Sequence, residues 1–338
     1  MIRTVSNPPS RFPVATISWD EPPVPRLEII EDHSKSILSE NDSPDIGFTW
    51  SVNAYRGCTH ACAYCYARAF HEYLELGAGT DFERRLVIKP RAPELLEQAF
   101  NKPSWRGERV AFSGVTDCYQ PIERRYELTR RCIEVCARYR NPVAVITRSP
   151  LVVRDLDLLV ELAEHDAAQV SLSIPILDLD VQRKLEPGAP PPAARLQAIS
   201  RLAEAGVPVG VSLAPLIPGI NDRSIPATLQ AARDAGARWA WMSLVRLSPS
   251  VAAVFEERLR DAMPDAADAV LRKIQRARGT TTREFRFFER MSGQGEVWET
   301  TRRMFELWRD RLGFAPTPPC GPTPFRRPGA AVQLALFR

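Results

Sequence analysis

From Phe48 to Leu247 the chain switches repeatedly between two hydrophobic periods, and that alternation restricts the fold more than any other feature. Short runs rich in Val, Ile and Phe read as strands: Phe48–Val52, Arg109–Phe112, Val143–Ile146, Gln169–Ile174, Val207–Leu213 and Trp239–Leu247. Between them, apolar residues at helical spacing predict helices over Tyr66–Leu76, Pro93–Phe100, Glu123–Tyr139, Leu151–Glu164, Ala193–Ala205 and Asp222–Ala235. Gly77, Gly206 and Gly236 stand where three of these should stop, and Asn141-Pro142 ends another. Strands separated by helices pair in parallel through right-handed crossovers. The expected fold class is α/β, a partial (βα)6 TIM-type barrel of parallel strands with an N-terminal arm and a helical C-terminal extension.

The flanks lack this alternation. Residues 1–47 are proline-rich with only short apolar runs, and read as an extended arm without a core of its own. Residues 48–250 form the expected core. In the extension, 251–315, both Val251–Arg278 and Glu296–Leu312 read as helical, with Pro264 interrupting the first. The tail, 316–338, is again proline-rich and extended. With 44% hydrophobic and 25% charged residues most of the protein reads as a soluble globule, and no apolar run approaches bilayer length. The seven cysteines are an odd number with three clustered, and Met1–Ser10 lacks a signal-peptide core, which points to a reducing, cytoplasmic setting. A formal charge of +4 is too weak to argue for nucleic acid by itself.

The first strand delivers the chain into Tyr55-Arg56-Gly57-Cys58-Thr59-His60-Ala61-Cys62-Ala63-Tyr64-Cys65-Tyr66. Cys58, Cys62 and Cys65 stand at CxxxCxxC spacing. Three thiolates on one short loop can hold three irons of a [4Fe-4S] cube and leave the fourth open to a small molecule. In a parallel sheet the loops after strand C-termini line the rim where ligands bind, and the cysteine loop is one of those. Two alternatives stand beside this reading. One is a zinc site closed by His60 or distant Cys320, and the other is three ordinary buried cysteines.

The cysteine loop resembles the signature of the radical S-adenosylmethionine (SAM) superfamily. With Ser43–Phe48, Ser113-Gly114-Val115-Thr116-Asp117, Ile146–Ser149 and Ala214–Asp222, it resembles the spore photoproduct lyase-like branch, whose members are often labelled DNA repair photolyases. Proline is common in that branch where Ala54 and Cys118 stand here, and neither departure touches a cluster ligand. The resemblance implies an enzyme whose [4Fe-4S] cluster, on Cys58, Cys62 and Cys65, cleaves S-adenosyl-L-methionine reductively to start radical chemistry, with nucleic acid such as DNA as a candidate substrate. It also implies a reductant such as flavodoxin or ferredoxin. Tyr66 and Ser173 sit where relatives contact SAM. Ser113, Gly114 and Thr116 offer backbone and hydroxyls on the second-strand loop, and Arg148 has the fork that suits the SAM carboxylate. Cys118, just past the second strand, could return a hydrogen atom to a substrate radical. Other readings are an iron-sulfur or zinc binding protein without turnover, and a radical enzyme for a peptide or small molecule.

Three further stretches carry expectations. Cys132 and Cys136, four apart on one helix face, read as core. Leu271–Arg290 holds seven Arg and Lys against two Glu, a net of +5, interleaved with Phe285, Phe287 and Phe288. Such a stretch suits nucleic acid, but the reading preferred is a solvated helix followed by a turn whose phenylalanines pack inward. Finally, Gln333-Leu334-Ala335-Leu336-Phe337 resembles the pentapeptide with which bacterial replication and repair proteins dock on the sliding clamp, and reads equally as a hydrophobic terminus folded back on its own domain.

Overall fold

The computed structural model describes residues 5–10, 12, 26–279, 287–319 and 321–329. In chain order its strands are β1 (Glu28–Glu31), β2 (Leu38–Glu40), β3 (Trp50–Val52), β4 (Tyr55–Arg56), β5 (Arg85–Ile88), β6 (Val110–Phe112), β7 (Val143–Thr147), β8 (Ala168–Ser173), β9 (Val209–Leu216) and β10 (Ala240–Leu244). The large sheet runs β10-β9-β8-β7-β6-β3-β2. Every pair from β3 to β10 in it is parallel, and only the edge strand β2 is antiparallel. Sequence neighbours are thus sheet neighbours joined by helical crossovers, the partial barrel expected from the alternation.

Register sorts the side chains of this sheet onto two unlike faces. Because Cα partners in parallel strands share a face, Val52, Phe112, Val145, Val170 and Val209 form one row and Thr147, Leu172 and Val211 another. These are buried with Ile133, Leu159, Ile199, Leu202 and Leu229 of the crossover helices. Each apolar side chain so buried stabilises the fold by about 1.5–3 kcal/mol. The other face carries Ser51, Ala111 and Ala144 in one row, Ile146, Ser171 and Gly210 in a second, and Ser173, Ser212 and Trp241 in a third. Most of these side chains are too small to fill a barrel interior. The hydroxyl of Ser212 is buried without a hydrogen-bond partner among the described residues.

Several expectations need correction. The described part of the arm supplies β1, parallel to β5, and the edge strand β2. The helix expected over Tyr66–Leu76 shrinks to Arg68–His71 and a 3₁₀ turn, Glu72–Leu74. Arg68 donates to the carbonyls of Ala78 and Gly79, which draws the chain back on itself, and Glu75 takes a left-handed φ of +59°. The helix expected over Glu123–Tyr139 breaks at Glu127, φ +49°. An unforeseen helix, Leu179–Leu185, starts where Asp178 accepts the N–H groups of Asp180 and Val181 at 2.9 and 3.0 Å.

The extension is helical over Pro249–Ala262, Pro264–Arg278 and Gly295–Arg311, with the break at Pro264 as expected. Phe287 and Phe288 are exposed rather than packed inward, while Phe285 lies outside the described residues. Residues 321–329 of the tail pack on the barrel's outer helices, where Phe325 stacks on Tyr139 at 6.1 Å and Arg327 donates to the carbonyls of Phe100, Lys102 and Trp105. Cys320 and the pentapeptide Gln333–Phe337 lie outside the described residues. Among those described, no helix is long and apolar enough to cross a membrane.

Candidate cluster and cofactor site

The cysteine loop leaves β3 and makes one short strand, β4, against β5 before it turns. The turn is at Gly57, φ +75°, where a Cβ would sit 2.9 Å from the Phe82 carbonyl and 2.8 Å from Leu86. That same carbonyl accepts the Cys58 N–H at 2.8 Å, so the glycine lets the loop lie directly on its neighbour. The second-strand loop clamps it from the other side. Thr116 and Gln120 both donate to the Gly57 carbonyl, at 2.6 and 2.8 Å, and Thr59 N–H donates to Gln120 at 3.2 Å.

Further along, the loop is stitched to the helix Leu179–Leu185. Ala63 N–H donates to the Leu185 carbonyl at 2.9 Å and Gly188 N–H to the His60 carbonyl at 3.1 Å. Glu186, fully buried, takes the Tyr64 hydroxyl and the guanidiniums of Arg148 and Arg195. Burial opposes its charge, but those two cations hold its carboxyl below the usual range. Behind the loop lies a second buried group of charges. Arg68 donates to the Cys62 carbonyl at 2.9 Å and pairs with Glu83. Arg258, from the C-terminal extension, donates to the Ala61 carbonyl and to Glu83, each at 3.2 Å. Ala61 holds a left-handed φ of +56°, so its peptide is one that needs support.

Cys58, Cys62 and Cys65 are all free thiols, the first two buried and the third partly exposed. Burial pushes Cys62 up to about 12 and Cys58 well above its ordinary value. Thiols in such a place become thiolates when a metal takes the proton's position. Among the described residues no three His, Cys, Asp or Glu side chains converge tightly enough for one metal ion. One tetrahedral zinc would hold its sulfurs about 2.3 Å from a common point, whereas a cubane gives each cysteine its own iron. Three thiols on one braced loop, beside an inner face lined largely by small residues, fit a [4Fe-4S] cluster with a small molecule at its open corner.

The remaining rim residues can be placed. Tyr66 is 40% exposed, and its hydroxyl donates to the Gly114 carbonyl at 2.8 Å. Ser113 has φ +92°, a strained value for a non-glycine residue. Asn53 steadies that turn by accepting the N–H groups of Gly114 and Val115 at 3.0 and 2.9 Å, and the Ser113 hydroxyl accepts the Cys118 N–H at 3.1 Å. Thr116 spends its hydroxyl on the cluster loop. Ser173 lies on the inner face and is 7% exposed. Arg148 is at the rim, but its guanidinium already meets Glu186 at 3.1 Å and the Tyr64 hydroxyl at 3.2 Å. Cys118 is buried, and burial first and Asp117 second push its thiol well up. Cys132 and Cys136 are fully buried in the core.

Burial works against the charge of Asp117 too, yet His60 at 3.5 Å, the Arg148 N–H at 2.9 Å and the Thr147 hydroxyl at 2.6 Å hold it down to about 2. Sequence reading did not foresee Asn53, Arg68, Glu83, Gln120, Glu186, Arg195, Arg246 or Arg258. Only the inner face left a local trace, in the alternation Val170-Ser171-Leu172-Ser173 and Val211-Ser212-Leu213.

Fold and loop together define a class. Residues 52–232 match the Radical SAM superfamily, and the chain belongs to it. Members are enzymes that use a [4Fe-4S] cluster and SAM. An uncharacterized protein of Mycobacterium tuberculosis is 40% identical over 175 residues, 52% of each chain. The match thus spans about half the length of that relative. One of Methanocaldococcus jannaschii is 29% identical over 197 residues, 58% of this chain and 71% of its own. Among solved structures, spore photoproduct lyase complexed with dinucleoside spore photoproduct superposes with a TM-score of 0.61 over 84% of this chain and 79% of its own. At 14% identity that likeness is one of fold.

Proposed function

We propose that this chain cleaves SAM reductively and uses the resulting radical on a nucleic-acid substrate. Cys58, Cys62 and Cys65 would hold the cluster. When bound, cluster and SAM supply an electron and a 5'-deoxyadenosyl group that leaves as a carbon radical able to abstract hydrogen. The protein's part is to orient and to exclude water. Tyr66, Ser113, Gly114, Ser173 and the backbone at Thr116 would line the place for SAM, and the buried Glu186 group would keep the loop's far side rigid. Cys118 remains a thiol because of its burial, the form that can give a hydrogen atom. Its S–H bond would break as a substrate C–H bond forms, leaving a thiyl radical that the reductant must quench.

The observation that carries the reading is the cysteine loop standing at the C-terminal end of the first barrel strand, beside an inner face of small residues. Nucleic acid as substrate draws support from Phe287 and Phe288, which are exposed beside Arg290. The test is anaerobic reconstitution with dithionite and SAM, alone and with damaged oligonucleotides. Methionine and 5'-deoxyadenosine should form. Their absence from a protein carrying its full iron complement would refute the activity. If SAM is cleaved but oligonucleotides neither bind with salt dependence nor change, the substrate is a peptide or small molecule.

A further inference from the structure

Arg246 stands just past β10, and its guanidinium lies over the Tyr66 ring, 4.4 Å from the centroid. Tyr66 follows the third cluster cysteine, so this cation sits at the barrel mouth. Among the described residues no carboxylate pairs with it and no acceptor takes its N–H groups. Burial opposes its charge most, and nearby Arg290 opposes it too, while the Tyr66 hydroxyl and the Asp45 carboxylate favour it. Arg290 is itself tied to Asp45 at 2.7 Å, and Arg278 is turned onto backbone carbonyls, including that of Ser292 at 3.0 Å. The Asp45 carboxylate is already committed to Arg290, and a half-buried guanidinium whose N–H groups find no acceptor among the described residues is costly to hold, so an anion would complete it.

What lies beside it narrows the anion. From Tyr66 an aromatic row leads outward across the surface, with Phe70 6.4 Å from Tyr66 and Tyr73 6.2 Å from Phe70. Phe70 is 39% and Tyr73 59% exposed, in a chain whose other large apolar side chains are mostly buried. Phe12 packs on the far end at 5.0 Å. One cation followed by successive exposed rings is the chemistry that grips a single strand, through a phosphate and through the faces of its bases.

We propose that Arg246 anchors one phosphate of a single-stranded or extruded nucleic acid whose neighbouring bases stack along Phe70 and Tyr73 toward the cofactor. The proposal rests on the nucleic-acid reading above and assigns it a surface. SAM's carboxylate is the other anion within reach, and the test separates the two.

The reconstituted holoenzyme, wild type and the Arg246→Met, Arg246→Lys and Phe70→Ala variants, is titrated into a fluorescein-labelled oligothymidylate at several KCl concentrations. SAM affinity is measured in parallel, and iron content certifies each variant. Arg246→Met should weaken oligonucleotide binding roughly tenfold and lower the slope of log K against log salt by about one, while Arg246→Lys keeps the slope. Phe70→Ala should weaken binding by roughly tenfold with the slope unchanged. If the wild type binds and Arg246→Met matches it in affinity and slope, the anchor is elsewhere although the nucleic-acid reading stands. If Arg246→Met weakens only SAM, the anion is the cofactor's carboxylate and the proposal falls. If the wild type shows no salt-dependent binding, both readings fall.

Discussion

Glu83→Gln should be among the most damaging single changes outside the cysteines, although Glu83 touches no cofactor residue. Its carboxylate is the counter-charge for two guanidiniums, and Glu83, Arg68 and Arg258 are 2, 0 and 6% exposed. Removing one member of such a buried group leaves an uncompensated charge, which costs about 3–5 kcal/mol. Arg258→Met is milder, because Glu83 keeps Arg68. It forfeits the contacts with Glu83 and the Ala61 carbonyl, both at a long 3.2 Å, and should cost about 2 kcal/mol. Arg68 and Arg258 hold the carbonyls of Cys62 and Ala61, so both variants should also lose iron faster on desalting, Glu83→Gln the more so. Urea unfolding followed by tryptophan fluorescence gives the stabilities and an iron assay the retention. A Glu83→Gln protein within about 1 kcal/mol of wild type, or an Arg258→Met protein less stable than it, would refute the reasoning.

Other predictions concern the same loop and its supports. Cys58→Ala, Cys62→Ala and Cys65→Ala should each abolish cluster absorbance after reconstitution, whereas Cys132→Ala and Cys136→Ala should keep it and lose only stability. Gly57→Ala forces a left-handed alanine and a Cβ 2.9 Å from the Phe82 carbonyl. It should cost roughly 2–4 kcal/mol in urea unfolding and reduce bound iron. Burial lowers His71 to about 4, and its Nε2–H donates to the Arg85 carbonyl at 3.0 Å. Because a free histidine titrates near 6.5, the unfolded chain binds the extra proton between about pH 6.5 and 4. Stability present above that window should be lost as pH falls through it, by up to roughly 3 kcal/mol, and His71→Gln should flatten the profile.

The alternation of periods was enough to place six parallel strands in their correct order, because the spacing of apolar residues reflects the backbone geometry of strand and helix directly. The position of the cysteine loop was equally legible, since it follows from the strand before it. The break at Pro264 was legible for the same local reason. What the chain's local pattern does not encode is the partner of a distant charge. Arg258 and Glu83 are 175 residues apart, and Glu186 and Tyr64 122 apart. Arg246 and Tyr66 meet only because the last barrel strand ends near the loop of the first. The arm's strands escaped notice because edge pairing depends on a neighbour being there, and Phe287 and Phe288 because exposure is a property of the folded surface. Period and spacing, local consequences of backbone geometry, therefore determined the barrel and the cysteine loop. Which charges are desolvated together behind that loop, and which cation at its mouth is left without an acceptor for its N–H groups among the described residues, was decided by tertiary packing, because Coulomb attraction and burial act through space and not along the chain.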